Sequence, residues 1–403
     1  MLPGDLSIRD FSFDLPNERI AIFPLEERDQ SKLLVYRHGS ISESIFSSLA
    51  DELQADDFLV FNKTRVVHAR LFFQTESLAR IEIFCLSPYN SSDIASELQK
   101  HDRVEWTCLV GNARKWKDQT VLKTSLGGDG KTLEARLAGR DGNGFQVVFS
   151  WNDPRLTFGE ILERAGTLPI PPYLNRNPEA EDELRYQTIY AEEDGSVAAP
   201  TAGLHFTPAV FSKLKSKGIK IDFLTLHVGA GTFKPVKAET MAGHSMHTEE
   251  VYVSLKLIKA LCEVKGRVIP VGTTSFRTLE SLYWSALKLM KQGDGEIRID
   301  AEQWEPYSYE EPLPEATEVF RWLIKEMENT GADHIRGTTS LLIAPGYKLR
   351  VCGGLITNFH QPESTLILLV SALIGEDWKK VYKYALDHNF RFLSYGDSSL
   401  LLP

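Results

Sequence analysis

Four polar side chains, Ser196, Thr201, His205 and Thr207, punctuate the run Gly195-Ser-Val-Ala-Ala-Pro-Thr-Ala-Gly-Leu-His-Phe-Thr207. That run is too small and too broken by glycine and proline for a helix, and it does not alternate like a strand. A loop is expected, and polar groups held on a loop over a rigid scaffold are where binding and catalysis concentrate. A second group lies in Val271-Gly-Thr-Thr-Ser-Phe-Arg-Thr-Leu-Glu-Ser281, which reads as strand end, polar turn and helix start. The hydroxyls of Thr273, Thr274 and Ser275, with the free amides of a helix start, suit a carboxylate or a ribose. Arg277 suits an anion gripped through two nitrogens; a helix cap beside a surface arginine is the plainer alternative. In Leu355-Ile-Thr-Asn-Phe-His-Gln-Pro362, Asn358 and His360 stand two apart on extended chain and share a face at a strand end.

Other clusters carry weaker chemistry. His244, His247 and Glu249 have some metal-like spacing but lack a further pairing motif, so a satisfied loop cluster is expected and no metal. Arg391 and Asp397 make either an ion pair that locks the terminus or part of a site. Gly229-Ala-Gly231-Thr-Phe imitates a nucleotide loop, but the following Lys234-Pro235-Val236 continues extended where a dinucleotide fingerprint needs a helix. Arg114-Lys115-Trp116-Lys117 places an aromatic among cations, a candidate phosphate-and-base contact on RNA; a solvated basic loop is the plain alternative.

The elements that must position these groups follow from the pattern. Residues 56–71 read as a buried strand, a polar turn and a second strand, and short alternating segments continue to about residue 150 with Gly/Asp turns between the later ones. This spacing predicts a small antiparallel barrel or sandwich. Helices are expected over 158–165, 208–217 (Thr207 as N-cap, Pro208 next), 255–265, 278–291, 364–374 and 378–388, and strands over 219–227, 268–271 and 349–357. Alternating helices and strands give an α/β layer. The domain reading is a discontinuous α/β domain, 1–68 with 155–403, interrupted by an inserted antiparallel β-barrel over 69–154. Residues 292–335, rich in Glu and Pro, read as an elaboration.

Composition bounds the setting. The chain has 403 residues, 42% of them apolar, ample for large cores. No apolar run reaches the roughly 18 residues of a membrane span, and the start shows no secretory pattern. Four dispersed cysteines make neither a disulfide framework nor a zinc site. A cytoplasmic, metal-free monomer is expected. The net charge of −10 argues against a general nucleic-acid binder but leaves room for a locally basic face.

The ordered motifs resemble the S-adenosylmethionine:tRNA ribosyltransferase-isomerases of queuosine biosynthesis. The matching segments are Asp10-Phe-Ser-Phe-Asp-Leu-Pro16, Phe23-Pro-Leu-Glu-Glu-Arg-Asp29 with Ser31, Val60-Phe-Asn62 with Thr64-Arg65-Val66, and Pro171-Pro-Tyr173. Then come Arg185-Tyr-Gln-Thr-Ile-Tyr-Ala191, the 195–207 run, Thr225-Leu-His-Val-Gly229 and Gly231-Thr-Phe233. His244 with Met246, His247 and Glu249, Gly272-Thr-Thr-Ser275, Arg277-Thr-Leu-Glu-Ser281, Pro345-Gly-Tyr347, Thr357-Asn-Phe-His360 and Tyr395-Gly-Asp397 complete the set. The resemblance implies an α/β fold with an inserted barrel, and S-adenosylmethionine as ribosyl donor. It implies 7-aminomethyl-7-deazaguanine at the tRNA wobble position as acceptor, and epoxyqueuosine-tRNA, adenine and methionine as products.

That chemistry needs a base at C5′, help for the departing adenine and a grip on the methionine end. His205, His227 or His360 is the implied base, and Thr201, Asn358 or Asp397 meets adenine. Arg277 suits the methionine carboxylate, and Glu27 or Asp29 its ammonium. Arg28, Arg65, Ser196, Thr207, Thr273, Thr274 and Ser275 fill out the implied donor site. The chain departs from the family pattern at Lys63, Phe276, Ala344, Gln361 and Glu363, and is longer around 292–335. Two other readings stay open: a same-fold enzyme using S-adenosylmethionine with another acceptor, and a non-catalytic RNA-binding homologue.

Overall fold

The computed structural model describes residues 3–91, 93–117, 119–127, 130–141, 144–229, 238–293 and 295–403. A ten-stranded mixed sheet forms its backbone. At its centre four strands run parallel, in the spatial order Lys220–His227, Phe58–Asn62, Val268–Val271 and Leu355–Asn358. Phe58–Asn62 is buried at every position, which is why it reads as an unbroken apolar run. Antiparallel strands extend both flanks, Glu249–Ser254 on one side and Ser398–Leu402 on the other. Because the four central strands point the same way, Asn62, His227, Val271 and Asn358 end at one edge of the sheet, where open α/β sheets place ligands.

The second body is a closed antiparallel barrel of six strands. Arg70–Gln74, Arg80–Pro88, Arg103–Gly111, Gly144–Trp151, Thr132–Asp141 and Leu122–Ser125 pair in that order, and Gln74 opposite Lys123 closes the ring. Phe73, Ile81, Ile83, Val147 and Phe149 fill it. The helix Phe158–Ala165, held by a Thr157/Glu160 capping box, lays Phe158, Ile161 and Leu162 on the same core.

Several expected elements differ in extent. The helix after Gly272 begins at Thr273, not at 278, and runs to Gln292. Of the strand expected over 349–357, Leu355–Asn358 forms. The 195–207 run is not loop throughout: Glu193–Ser196 pairs in parallel with Thr64–Val66, and Thr201–His205 coils into a 3-10 turn. The 292–335 stretch adds an edge strand, Ile299–Ala301, and a helix, Ala316–Thr330, whose Val319, Phe320, Leu323 and Met327 are buried. The Gly231-Thr-Phe motif and the Lys234-Pro235-Val236 continuation lie outside the described residues.

Glu280 shows how a motif residue can be spent on the scaffold. Fully buried, its carboxylate accepts from the Tyr347 hydroxyl at 2.9 Å and from the backbone amides of Arg350, Val351 and Cys352 at 3.0, 2.9 and 2.9 Å. Four donors converge on two oxygens, and a glutamine would turn an NH2 toward two of them. Glu280→Gln is therefore expected to cost about 3 kcal/mol, since a hydrogen bond to a charged group is worth about 1.5–3 kcal/mol. Urea unfolding reads this, and a loss below about 1 kcal/mol would contradict it.

Candidate active site

The carboxyl ends of the central strands open into a cleft. Its walls come from three of the singled-out segments: Ala198 to Ala202, Gly272 to Thr274, and Thr357 to Gln361. Gly272 makes the turn possible, with φ +90° at the cap of the Thr273–Gln292 helix. No side chain caps that helix, and its first residues, Thr273 and Thr274, line the cleft. The Thr274 hydroxyl is buried with no hydrogen-bond partner among the described residues. Ser275 is not offered to a ligand, because its hydroxyl donates to the Val271 carbonyl at 2.9 Å.

Asn358 is the pivot. Its Nδ2 donates to the Leu393 carbonyl at 3.1 Å, which fixes the amide's orientation, and the same nitrogen lies 3.3 Å from His205 Nε2. Nε2 is then the acceptor, so Nδ1–H of His205 donates to Ser31 Oγ at 2.9 Å. The other amide atom, Asn358 Oδ1, is buried on a residue that lines the cleft and has no partner among the described residues. A lone acceptor beside a free hydroxyl and helix amides suits a ligand with both an N–H donor and an anionic end.

The three histidines separate. His360 lines the cleft, its Nε2 3.0 Å from Thr357 Oγ1, and burial pushes its pKa down to about 3. His205 is buried behind Asn358, packs on Phe46 with ring centres 5.0 Å apart, and is lowered by burial to about 4. With both ring nitrogens engaged, His205 positions Asn358 and does not itself border this cleft. His227 faces the seam with the barrel. A Cβ on Gly195 would come within 2.8 Å of its Nδ1, whereas the next residue, Val228, lines the cleft.

Other candidates are built into the scaffold. Ser196 Oγ donates to Ala198 O and accepts from Val228 N, both at 2.9 Å, pinning the loop to the strand end. Thr207 caps the Pro208–Ser216 helix and donates to Asp29 at 2.7 Å, so Asp29 braces that helix. Arg277 is not a free anion grip: it is buried in an ion pair with Glu249, and burial pushes its pKa down to about 10. Glu249 also accepts from Gly229 N at 3.2 Å and meets His247 at 3.1 Å. Among the described residues no group of three or more His, Cys, Asp and Glu is placed to hold a metal. Asp397 accepts from the amides of Lys32 and Arg391 at 3.1 and 2.7 Å and pairs with the Arg391 side chain, which ties the terminal segment down. Arg65 reaches the Ala191 carbonyl and Asp194 on the surface, and Glu27 is exposed; neither lines the cleft.

Trp116 corrects the expected basic-aromatic patch. It is buried in the barrel core, with Nε1 donating to Thr120 O at 2.9 Å, because a large ring gains more by filling the barrel than by facing water. Arg114, Lys115 and Lys117 remain exposed around it. Cleft residues not named as site candidates from sequence are Tyr186, inside the Arg185–Ala191 motif, and Ser364 and Ser394, which flank recognised segments. The charge change at Lys63 is balanced locally by Glu192 and Glu193 at 3.1 and 3.2 Å.

A family model described as a queuosine biosynthesis protein matches residues 8–401. The chain belongs to this family. It is an enzyme, as is a curated relative from Trichlorobacter lovleyi named S-adenosylmethionine:tRNA ribosyltransferase-isomerase. That relative is 36% identical over 401 residues, covering 98% of this chain and 99% of its own. A crystal structure of S-adenosylmethionine tRNA ribosyltransferase from Thermotoga maritima is 26% identical, with a TM-score of 0.46, and covers 98% of this chain and 100% of that one. Within this queuosine-family chain, no helix among the described residues is long and apolar enough to cross a membrane.

Proposed function

We propose that this chain transfers and isomerises the ribosyl group of S-adenosylmethionine onto 7-aminomethyl-7-deazaguanine in the tRNA wobble position, releasing adenine and methionine. The observation that carries the reading is the cleft's unpaired pair of atoms, Asn358 Oδ1 and Thr274 Oγ1, set at the strand ends of a queuosine-family chain. Asn358 Oδ1 takes an N–H of adenine, and the amides at Thr273 and Thr274 with the Thr274 hydroxyl take the methionine carboxylate, the work expected of Arg277. His360 is the cleft histidine for proton transfer. Burial keeps it neutral at pH 7, which leaves one ring nitrogen without a proton, and the same desolvation makes it a weak base. His205 acts through Asn358, and Thr201 stays at the cleft wall within reach of either substrate.

Incubation with S-adenosylmethionine and tRNA carrying 7-aminomethyl-7-deazaguanine, followed by mass spectrometry of the nucleosides, tests this. Epoxyqueuosine with adenine supports it, adenine alone points to another acceptor, and neither product removes the enzymatic reading of this cleft. Thr274→Val tests the carboxylate grip. The hydroxyl has no partner to lose, so stability should hold while the KM for the donor rises roughly three- to ten-fold, one hydrogen bond's worth. An unchanged KM would move the carboxylate elsewhere.

A further inference from the structure

Behind His205 lies a second, smaller cleft whose lining includes Arg28, Arg185 and Arg391 with Ser31 and Ser394. Ser394 also lines the first cleft, so the two adjoin. The guanidinium charges here are not balanced. Arg185 pairs with Glu181 at 3.1 Å and Arg391 with Asp397 at 3.2 Å. Arg28 donates only to two carbonyls, Gln187 O and Leu184 O, each at 3.2 Å, and among the described residues no carboxylate pairs with it. Asp29 next to it is turned away onto Thr207. His205 is neutral. Two carboxylates against three guanidinium groups leave one positive charge in a half-buried pocket, and a charge kept there without a partner is costly unless a ligand supplies the anion.

We propose that Arg28, Arg185 and Arg391 form an anion pocket that takes a backbone phosphate of the RNA acceptor; this rests on the reading above that the acceptor is RNA. The cationic donor does not suit it. S-adenosylmethionine carries a sulfonium and an ammonium against one carboxylate, so an excess positive pocket repels it. A phosphodiester is an anion matched to forked guanidinium donors. A base drawn out of its strand into the first cleft trails its phosphodiester at the rim, where the second cleft adjoins.

The test compares wild type, Arg28→Gln and Arg28→Lys. Binding of tRNA is measured from 0.05 to 0.3 M salt, and thermal stability with and without inorganic phosphate. Arg28→Gln is expected to weaken tRNA binding about ten-fold and to lower the slope of log K against log salt by about 0.9, one phosphate contact. Arg28→Lys keeps most of the slope. Phosphate should raise the melting temperature of wild type and not of Arg28→Gln, while the dissociation constant for S-adenosylmethionine moves less than two-fold. A folded Arg28→Gln with unchanged tRNA slope overturns the proposal, whether or not phosphate binding is lost. A large loss of donor affinity with tRNA binding intact also overturns it, assigning the pocket to the donor. If wild type itself binds no tRNA, the RNA-acceptor reading fails first, a result distinct from a failure confined to Arg28→Gln.

Discussion

Replacing Asn358 by leucine should cut adenine release, read as kcat/KM for the donor, by roughly 10²–10³-fold, the scale of losing one preorganised polar group in a dry site. Leucine is close in shape, so the cleft keeps its walls, but both ends of the amide are lost. On the cleft side, Oδ1 is the unpartnered acceptor. On the other, Nδ2 holds the Leu393 carbonyl at 3.1 Å and His205 Nε2 at 3.3 Å. Those two groups become unsatisfied, which adds a stability loss of about 2–3 kcal/mol. Aspartate separates the two effects. It keeps an oxygen toward the cleft, and His205 can shift its proton to Nε2 and donate, but nothing then donates to Leu393. Activity should fall in the order Asn, Asp, Leu, while aspartate is no more stable than leucine. A folded leucine variant within about five-fold of wild-type turnover would remove Asn358 from the reaction.

The fold was legible where local pattern and packing agree. Four barrel strands, Arg80–Pro88, Arg103–Gly111, Thr132–Asp141 and Gly144–Trp151, follow segments that alternate in sequence, whereas Leu122–Ser125 does not read as a strand. The parallel centre shows as an apolar run at Phe58–Asn62. The Pro208–Ser216 helix was announced by its Thr207 cap and Pro208. The Thr273–Gln292 helix was placed five residues late because Gly272-Thr-Thr-Ser reads as a turn, while burial of Ser275 and Phe276 at 0% exposed draws the first turn into the core. For the site, sequence found the segments that meet at the strand ends but could not say which polar atoms the scaffold consumes. Ser196, Ser275, Arg277 and Asp397 look the same in sequence as Thr274 and Asn358. Only their partners, fixed across long chain separations, distinguish a brace from a ligand. The wall of three arginines was hidden for the same reason: Arg28, Arg185 and Arg391 meet only through folding.

Acid should destabilise this enzyme well before its carboxylates titrate. His205, His227 and His360 are held by burial at about 4, about 4 and about 3, against about 6.5 when unfolded. Between those values the unfolded chain binds the extra protons, so stability is fullest above about pH 6.5 and falls as pH drops toward 4. Three protons give a slope of up to about 4.1 kcal/mol per pH unit. Glu250 opposes this. Burial raises it to about 7, so the folded chain holds its proton between about 7 and 4.5 and gains stability as pH falls through that window. The net expectation near pH 5.5 is a loss of about 2.7 kcal/mol per unit, two uncompensated protons. Urea unfolding at pH 7, 6 and 5 measures it, and His360→Gln isolates the cause. Removing one buried imidazole takes about 1.4 kcal/mol per unit off the slope, flattening it, while Glu250→Gln should steepen it by a similar amount. An identical slope in wild type and His360→Gln would mean that His360 already carries its proton in the folded enzyme, and the neutral imidazole assigned to the cleft would have to be given up.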